Sequence, residues 1–330
     1  MHRIRLVAVV VCAFVVMLLI APAAQAVILA RGAQRNTSAP YGSWGGYLVN
    51  SGWQWEGNFG SFLGTPISSK HFITASHIGG WVGQQFTLNG TTYTTTAMYD
   101  DPATDLRIWK VDKTFNSYAP IYTGGSDVGQ YMVVYGRGTQ RGNEVWSTGG
   151  LKGWYNGAFD GVKSWGSNYS SGTVWGGSDK GTLLSYAFNK NGGTLDEATL
   201  SVGDSGGGVF VHDWDGKWKL AGINYAIDGP FSYWGGSDGG FNASIFDKGG
   251  LYTRNGTSWQ MNWDTAADQP TNWYATRITS RSSWINSIIA GSLWATPSSV
   301  AAPAGSAVPE PGTLSVVGIA AVSMFLRRRR

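Results

Sequence analysis

Short β-branched and aromatic runs, each cut off by Gly, Asn or Asp, fill this chain until about residue 278. No segment before that point holds a helical apolar period for long. Phe86-Thr87-Leu88, Asn89-Gly90 and Thr91-Thr92-Tyr93 read as a hairpin turned at Asn-Gly, where both turn residues tolerate positive φ. Val209-Phe210-Val211 and Lys219-Leu220-Ala221 flank a second turn at Asp215-Gly216. Helical spacing appears only past Thr279, where Ile285, Ile288 and Ile289 fall three and four apart. The pattern predicts an all-β fold closed by one C-terminal helix.

Three short motifs carry chemistry. Gly203-Asp204-Ser205-Gly206-Gly207 sets a serine between glycines, which lets a loop turn tightly and bring its backbone close to a ligand. A chain with 48 glycines also writes such strings as plain surface turns. Phe72-Ile73-Thr74-Ala75-Ser76-His77 is a strand-like run that delivers an imidazole at its end, and Asp105 opens the run Leu106-Arg107-Ile108-Trp109-Lys110-Val111. A serine hydroxyl is a poor nucleophile without a base in hydrogen-bond reach. Beyond the first 26 residues only His71, His77 and His212 are available. His71 reads as a partly exposed strand residue, and His212 as the end of a hairpin. The competing acids Asp100 and Asp101 precede Pro102 in a turn.

The motifs run in the order His, Asp, Ser, and on them the chain resembles a bacterial secreted serine endopeptidase of the trypsin/chymotrypsin type. Further segments match in the family's order. Val133-Val134-Tyr135-Gly136-Arg137-Gly138 resembles the opening of the second barrel, Leu220-Ala221-Gly222-Ile223 the cleft strand, and Tyr274-Ala275-Thr276-Arg277-Ile278 with Trp284-Ile285 the last strand and closing helix. The resemblance implies two six-stranded Greek-key barrels, the first near residues 41–115 and the second near 129–290, the latter interrupted by an insertion at 226–272. It implies peptide-bond hydrolysis on a protein or peptide substrate through an acyl-enzyme, with His77, Asp105 and Ser205 as triad. The resemblance likewise implies that the Gly203 and Ser205 N–H groups form the oxyanion hole.

Several other positions take expectations from the same resemblance. Thr199, six residues before Ser205, matches the floor of the specificity pocket and is followed by Leu200. A neutral floor excludes a preference for Lys or Arg and suits small or apolar side chains, unless Asp228, Asp238 or Asp247 enters from the insertion. Asn224 and Tyr225, expected with Thr199 and Leu200 to bind substrate, stand where the family's cleft strand carries a serine that supports the triad Asp, and either could replace its hydrogen bond. No Ile-Val-Gly-Gly start follows the first 26 residues, so Asp204 is expected to pair with a permanent cation, Arg137. No cofactor or metal is implied, and a monomer is expected.

The two ends read as address labels. Arg3 and Arg5, the apolar run Leu6–Ile20 and Ala24-Gln25-Ala26 make residues 1–26 a secretory signal for signal peptidase, with the protease domain at 27–290. The lone Cys12 lies inside that signal, so the exported domain has no disulfide. Residues 291–307 form an Ala/Pro/Ser linker. Residues 308–330 (Val308-Pro309-Glu310-Pro311, an apolar stretch to Leu326, then Arg327 to Arg330) resemble the PEP-CTERM sorting signal that an exosortase is thought to process; a plain membrane anchor is the simpler alternative. The destination is the cell surface or beyond. The net charge of +4 belongs to these ends, and the stretch from Val27 to Pro309 carries one net negative charge, which excludes nucleic acid as a partner.

Residues 140–182 and 226–272 are rich in Gly, Trp and Ser, and Trp234-Gly235-Gly236-Ser237-Asp238 repeats Trp175-Gly176-Gly177-Ser178-Asp179. Repeated turn composition explains this, since no metal-ligand spacing accompanies it. With 17 tryptophans in the chain, the alternative to an enzyme is a catalytically weak or inactive surface module that binds protein or carbohydrate through these loops.

Overall fold

Alternation of large side chains decides both barrels of this computed structural model, which describes residues 26–32, 36–42, 47–191, 193–236 and 240–292. In the first barrel six strands close in the order Gly57–Phe59, Phe62–Pro66, His71–Ala75, Leu106–Val111, Thr91–Asp100 and Gln85–Leu88. Period-two residues Phe59, Phe72, Phe86 and Trp109 point inward and fill it. Phe72 stacks on Phe86 with ring centres 4.2 Å apart, and Phe59 meets Phe72 and Trp109 at 5.3 and 5.0 Å. Asn89 and Gly90 take positive φ at the hairpin that joins two of these strands, as Asn-Gly predicts.

The second barrel closes in the order Ser164–Trp175, Thr182–Ala187, Asn272–Arg277, Trp218–Ile227, Gly208–His212 and Tyr131–Gly136. Tyr186 lies flat on Trp273 at 3.8 Å in its interior. The helix Ser282–Ile289 buries Ile285 and Ile288, which join a core that also holds Phe210 and Tyr135 of the second barrel and Phe72 and Trp109 of the first. This is a chymotrypsin-like arrangement of two six-stranded barrels with one short C-terminal helix.

The Gly/Trp/Ser-rich stretches are more ordered than their composition predicts. Thr139–Ser147 and Gly150–Phe159 pair with each other, and Ala243–Ile245 adds to the second of them, with Gly153 opposite Ile245. Phe231–Ser232, Tyr252–Asn255 and Ser258–Met261 make another small sheet. The two stretches therefore fold against each other beside the second barrel. Near the N-terminal end of the described chain, Ile28–Leu29 pairs with Ala198–Thr199. The expected signal lies outside the described residues except for Ala26, and the expected linker and C-terminal segment lie outside them from residue 293 onward. Among the described residues no helix is long and apolar enough to cross a membrane.

Candidate active site

Strand pairing brings the histidine and the acid together. His71–Ala75 runs antiparallel to Leu106–Val111 with Ala75 opposite Leu106, so Ser76-His77 and Asp105 lie where that ladder ends. The ladder continues one step further, the Ser76 N–H donating to the Asp105 carbonyl at 2.8 Å. The Asp105 carboxylate, 1% exposed, meets His77 Nδ1 through Oδ2 at 2.5 Å. Its Oδ1 accepts the His77 backbone N–H at 3.0 Å and the Ser76 hydroxyl at 2.7 Å. On the far side of the ring, His77 Nε2 stands 2.8 Å from Ser205 Oγ. Such a line can move a proton from a hydroxyl to an imidazole while a buried carboxylate holds the ring's orientation.

Ser205 stands on a loop shaped by its glycines. Gly203 takes φ +93° and Gly206 φ +82°, both left-handed, and a Cβ on Gly206 would lie 2.7 Å from the Leu63 carbonyl. The Gly206 N–H donates to the Asn224 carbonyl, and the Asn224 N–H to the Gly207 carbonyl. Among the described residues, no acceptor takes the N–H of Gly203 or of Ser205.

The expected Arg137–Asp204 ion pair does not form. Arg137 spends its guanidinium on two carbonyls, Gly161 at 2.5 Å and Gly60 at 2.7 Å. Asp204 is fully buried and is held by neutral donors. Its Oδ1 accepts the Gly138 N–H, and its Oδ2 accepts the Ser201 N–H, the Ser201 hydroxyl and, at 3.2 Å, the N–H of Val27. Pairing of Ile28–Leu29 with Ala198–Thr199 is what brings Val27 there. Burial pushes the Asp204 carboxyl up to about 6, against the lowering effect of those donors.

Other candidates divide. Thr199 is buried opposite Ile28 in the short ladder. Leu200 is not a pocket wall: just past the ladder, it packs in the second barrel's core with Leu29, Val134 and Trp273. Asn224 donates to the carbonyls of Tyr135 and Asp204 at 2.7 and 3.0 Å, bracing the nucleophile loop from below and leaving Asp105 alone. Tyr225 presents its ring edge-on to His77 at 5.8 Å, and burial raises its phenol well above the ordinary range. The rival acids are occupied elsewhere: Arg281 grips Asp101 through two nitrogens at 2.5 and 2.6 Å, and Arg107 meets Asp100 at 2.5 Å. His71 is more buried than its expected half-exposed place, and burial lowers its imidazole to about 4. His212 ends its strand as expected, 5.0 Å from the ring of Tyr47.

A second buried charge lies beneath the serine loop. Glu56 accepts the Thr65 hydroxyl at 2.7 Å and the Gly208 N–H at 3.3 Å; burial raises its carboxyl and lowers the nearby Lys163 ammonium.

Comparison with known proteins matches residues 307–330 to the model of the PEP-CTERM protein-sorting motif. No curated protein matches the chain. Among solved structures, neuropsin, a serine protease of mouse brain, is similar at TM-score 0.45 and 14% identity over 73% of this chain and 96% of its own. A mutant of human heparin binding protein is similar at TM-score 0.42 and 11% identity over 76% and 96%. Kallikrein-related peptidase 10, in complex with zinc, reaches TM-score 0.41 and 14% identity over 74% and 98%.

Proposed function

We propose that the chain is an exported serine endopeptidase that hydrolyses peptide bonds through an acyl-enzyme on Ser205. One observation carries this reading: Asp105, His77 and Ser205 form a continuous hydrogen-bonded line, 2.5 Å on one side of the imidazole and 2.8 Å on the other. In this reading His77 Nε2 takes the Ser205 proton as Oγ attacks the carbonyl carbon and later gives it to the leaving amine. Asp105 stabilises the imidazolium through Nδ1. The Gly203 and Ser205 N–H groups, having no protein acceptor among the described residues, receive the negative oxygen of the tetrahedral intermediate. Export by signal peptidase and processing of the sorting motif by an exosortase deliver the enzyme to the surface as a monomer.

Exposed tryptophans favour a second reading, a binding module without turnover. Trp146, Trp175, Trp214, Trp234 and Trp263 all stand largely in solvent. A fluorophosphonate probe separates the two. The enzyme reading expects stoichiometric labelling of the wild-type protein, none of Ser205→Ala, and hydrolysis of casein by the former only. An unlabelled, well-folded wild-type protein would leave the binding module.

A further inference from the structure

We infer that the Ser76 hydroxyl is the positioning group of the triad acid, an inference that rests on the endopeptidase reading above. Asp105 is almost fully buried, so every lone pair it turns inward needs a donor from the protein. Oδ2 has His77 Nδ1. Oδ1 has the backbone N–H of His77 and one hydroxyl, that of Ser76. The cleft strand contributes no such donor: Asn224 directs its amide at the Tyr135 and Asp204 carbonyls, and Tyr225 turns a ring edge to the imidazole. Among the described residues Ser76 is thus the side chain, besides His77, that binds this carboxylate.

Its geometry fits the task. Ser76 is fixed twice to Asp105, by its N–H to the backbone carbonyl at 2.8 Å and by its hydroxyl to Oδ1 at 2.7 Å. Two donors on Oδ1 stop the carboxylate rotating about its Cβ–Cγ bond and keep Oδ2 aimed at Nδ1. With the hydroxyl gone, Oδ1 keeps only the His77 N–H, and the plane of the carboxylate is free to tilt. The imidazole then loses its fixed orientation in the step where its proton must travel between Oγ and the leaving group. Ser76 touches neither substrate nor reacting atoms, so its contribution falls on kcat and leaves substrate binding alone.

The test compares wild-type protein, Ser76→Ala and Ser76→Thr, measuring labelling by the fluorophosphonate, kcat and KM on a peptide substrate, thermal unfolding, and the low-field proton resonance of the His77–Asp105 hydrogen bond. Loss of a hydrogen bond to a charged acceptor predicts a kcat about 10- to 100-fold lower in Ser76→Ala at unchanged KM, with the resonance shifted upfield. Ser76→Thr, which keeps the hydroxyl, restores both. A folded Ser76→Ala with wild-type kcat and an unmoved resonance overturns the inference. So does a Ser76→Thr that folds yet stays as slow as Ser76→Ala. If Ser76→Ala does not fold, Ser76→Thr alone decides: near-wild-type kcat and resonance support the inference, and loss of both in a folded protein overturns it. A wild-type protein that neither labels nor hydrolyses sinks the endopeptidase reading instead, which keeps the two failures apart.

Discussion

At the scale of single residues, the proposed endopeptidase would take its specificity from the charge near a pocket whose floor we assign to Thr199. Thr199 carries no charge, and two of the acids that could have entered the pocket are occupied. Asp228 accepts the Asn272 N–H and the Tyr274 hydroxyl, each at 2.8 Å, and Asp247 is bound to Lys152 Nζ at 2.6 Å. Asp238 lies outside the described residues. A lysine or arginine side chain would lose its water with no counter-charge in return. A peptide library should therefore show cleavage after Ala, Val, Leu or Phe exceeding cleavage after Lys or Arg by at least about tenfold. Dominant cutting after a basic residue would show that a carboxylate reaches the pocket from elsewhere. The residues around Ser205, His77 and Asp105 were legible because each motif ends or begins a strand. The partner of Asp204 was not, because a backbone N–H leaves no residue-type signature in a sequence.

Elements explain that missed partner. The two-residue ladder between Ile28–Leu29 and Ala198–Thr199 carries the Val27 nitrogen to a fully buried carboxylate. While Val27 is in a peptide bond, that nitrogen is a neutral donor. The carboxyl's folded pKa, about 6, then lies above its ordinary value of 3.8. A raised acid contributes stability below its unfolded pKa and loses it as pH climbs through its folded one, so this group costs about 3 kcal/mol at neutral pH. A chain that begins at Val27, the product expected from cleavage after Ala26, replaces the neutral donor by an ammonium and offsets the cost. Its unfolding temperature should exceed that of a chain with a short N-terminal extension at pH 7. The gap should narrow toward pH 4, where the carboxyl is protonated, and again above about pH 8, where an α-amino group loses its proton. Equal melting curves across that range would mean that the new terminus does not seat on Asp204. The sheet of residues 139–159 and 243–245 was equally hidden, since glycine-rich strands resemble turns by composition. Lys152 anchors it between Asp247 and Asp264 at 2.6 and 2.7 Å. Lys152→Met strands a buried carboxylate and should cost about 3 kcal/mol in urea unfolding. A loss below about 0.5 kcal/mol would mean that water already solvates the pair.

The whole molecule pairs a body of one net negative charge with two ends to which its net positive charge belongs. The barrels were readable from strand spacing and motif order, because closing a sheet demands alternating side chains that leave their period in the sequence. The C-terminal sorting motif was readable for another reason, since it is written in composition. The stretch from Gly312 to Leu326 holds 15 apolar or small residues, short for a free-standing span, and Arg327 to Arg330 follow it at once. Arginines at that end resist transfer across a charged membrane, so we propose that the segment stalls with its tail in the cytoplasm and the barrels outside. The described body contributes no helix able to cross a membrane. On the anchoring proposal, membrane association of the exported chain should depend on residues 308–330. A chain ending at Ala307, expressed in a host that exports it, should appear in the periplasm or medium with the same fluorophosphonate labelling as the full chain. The full chain should sediment with membranes until its tail is removed. A truncated chain that still sediments with membranes would place the attachment on the body, and would turn attention to its exposed tryptophans.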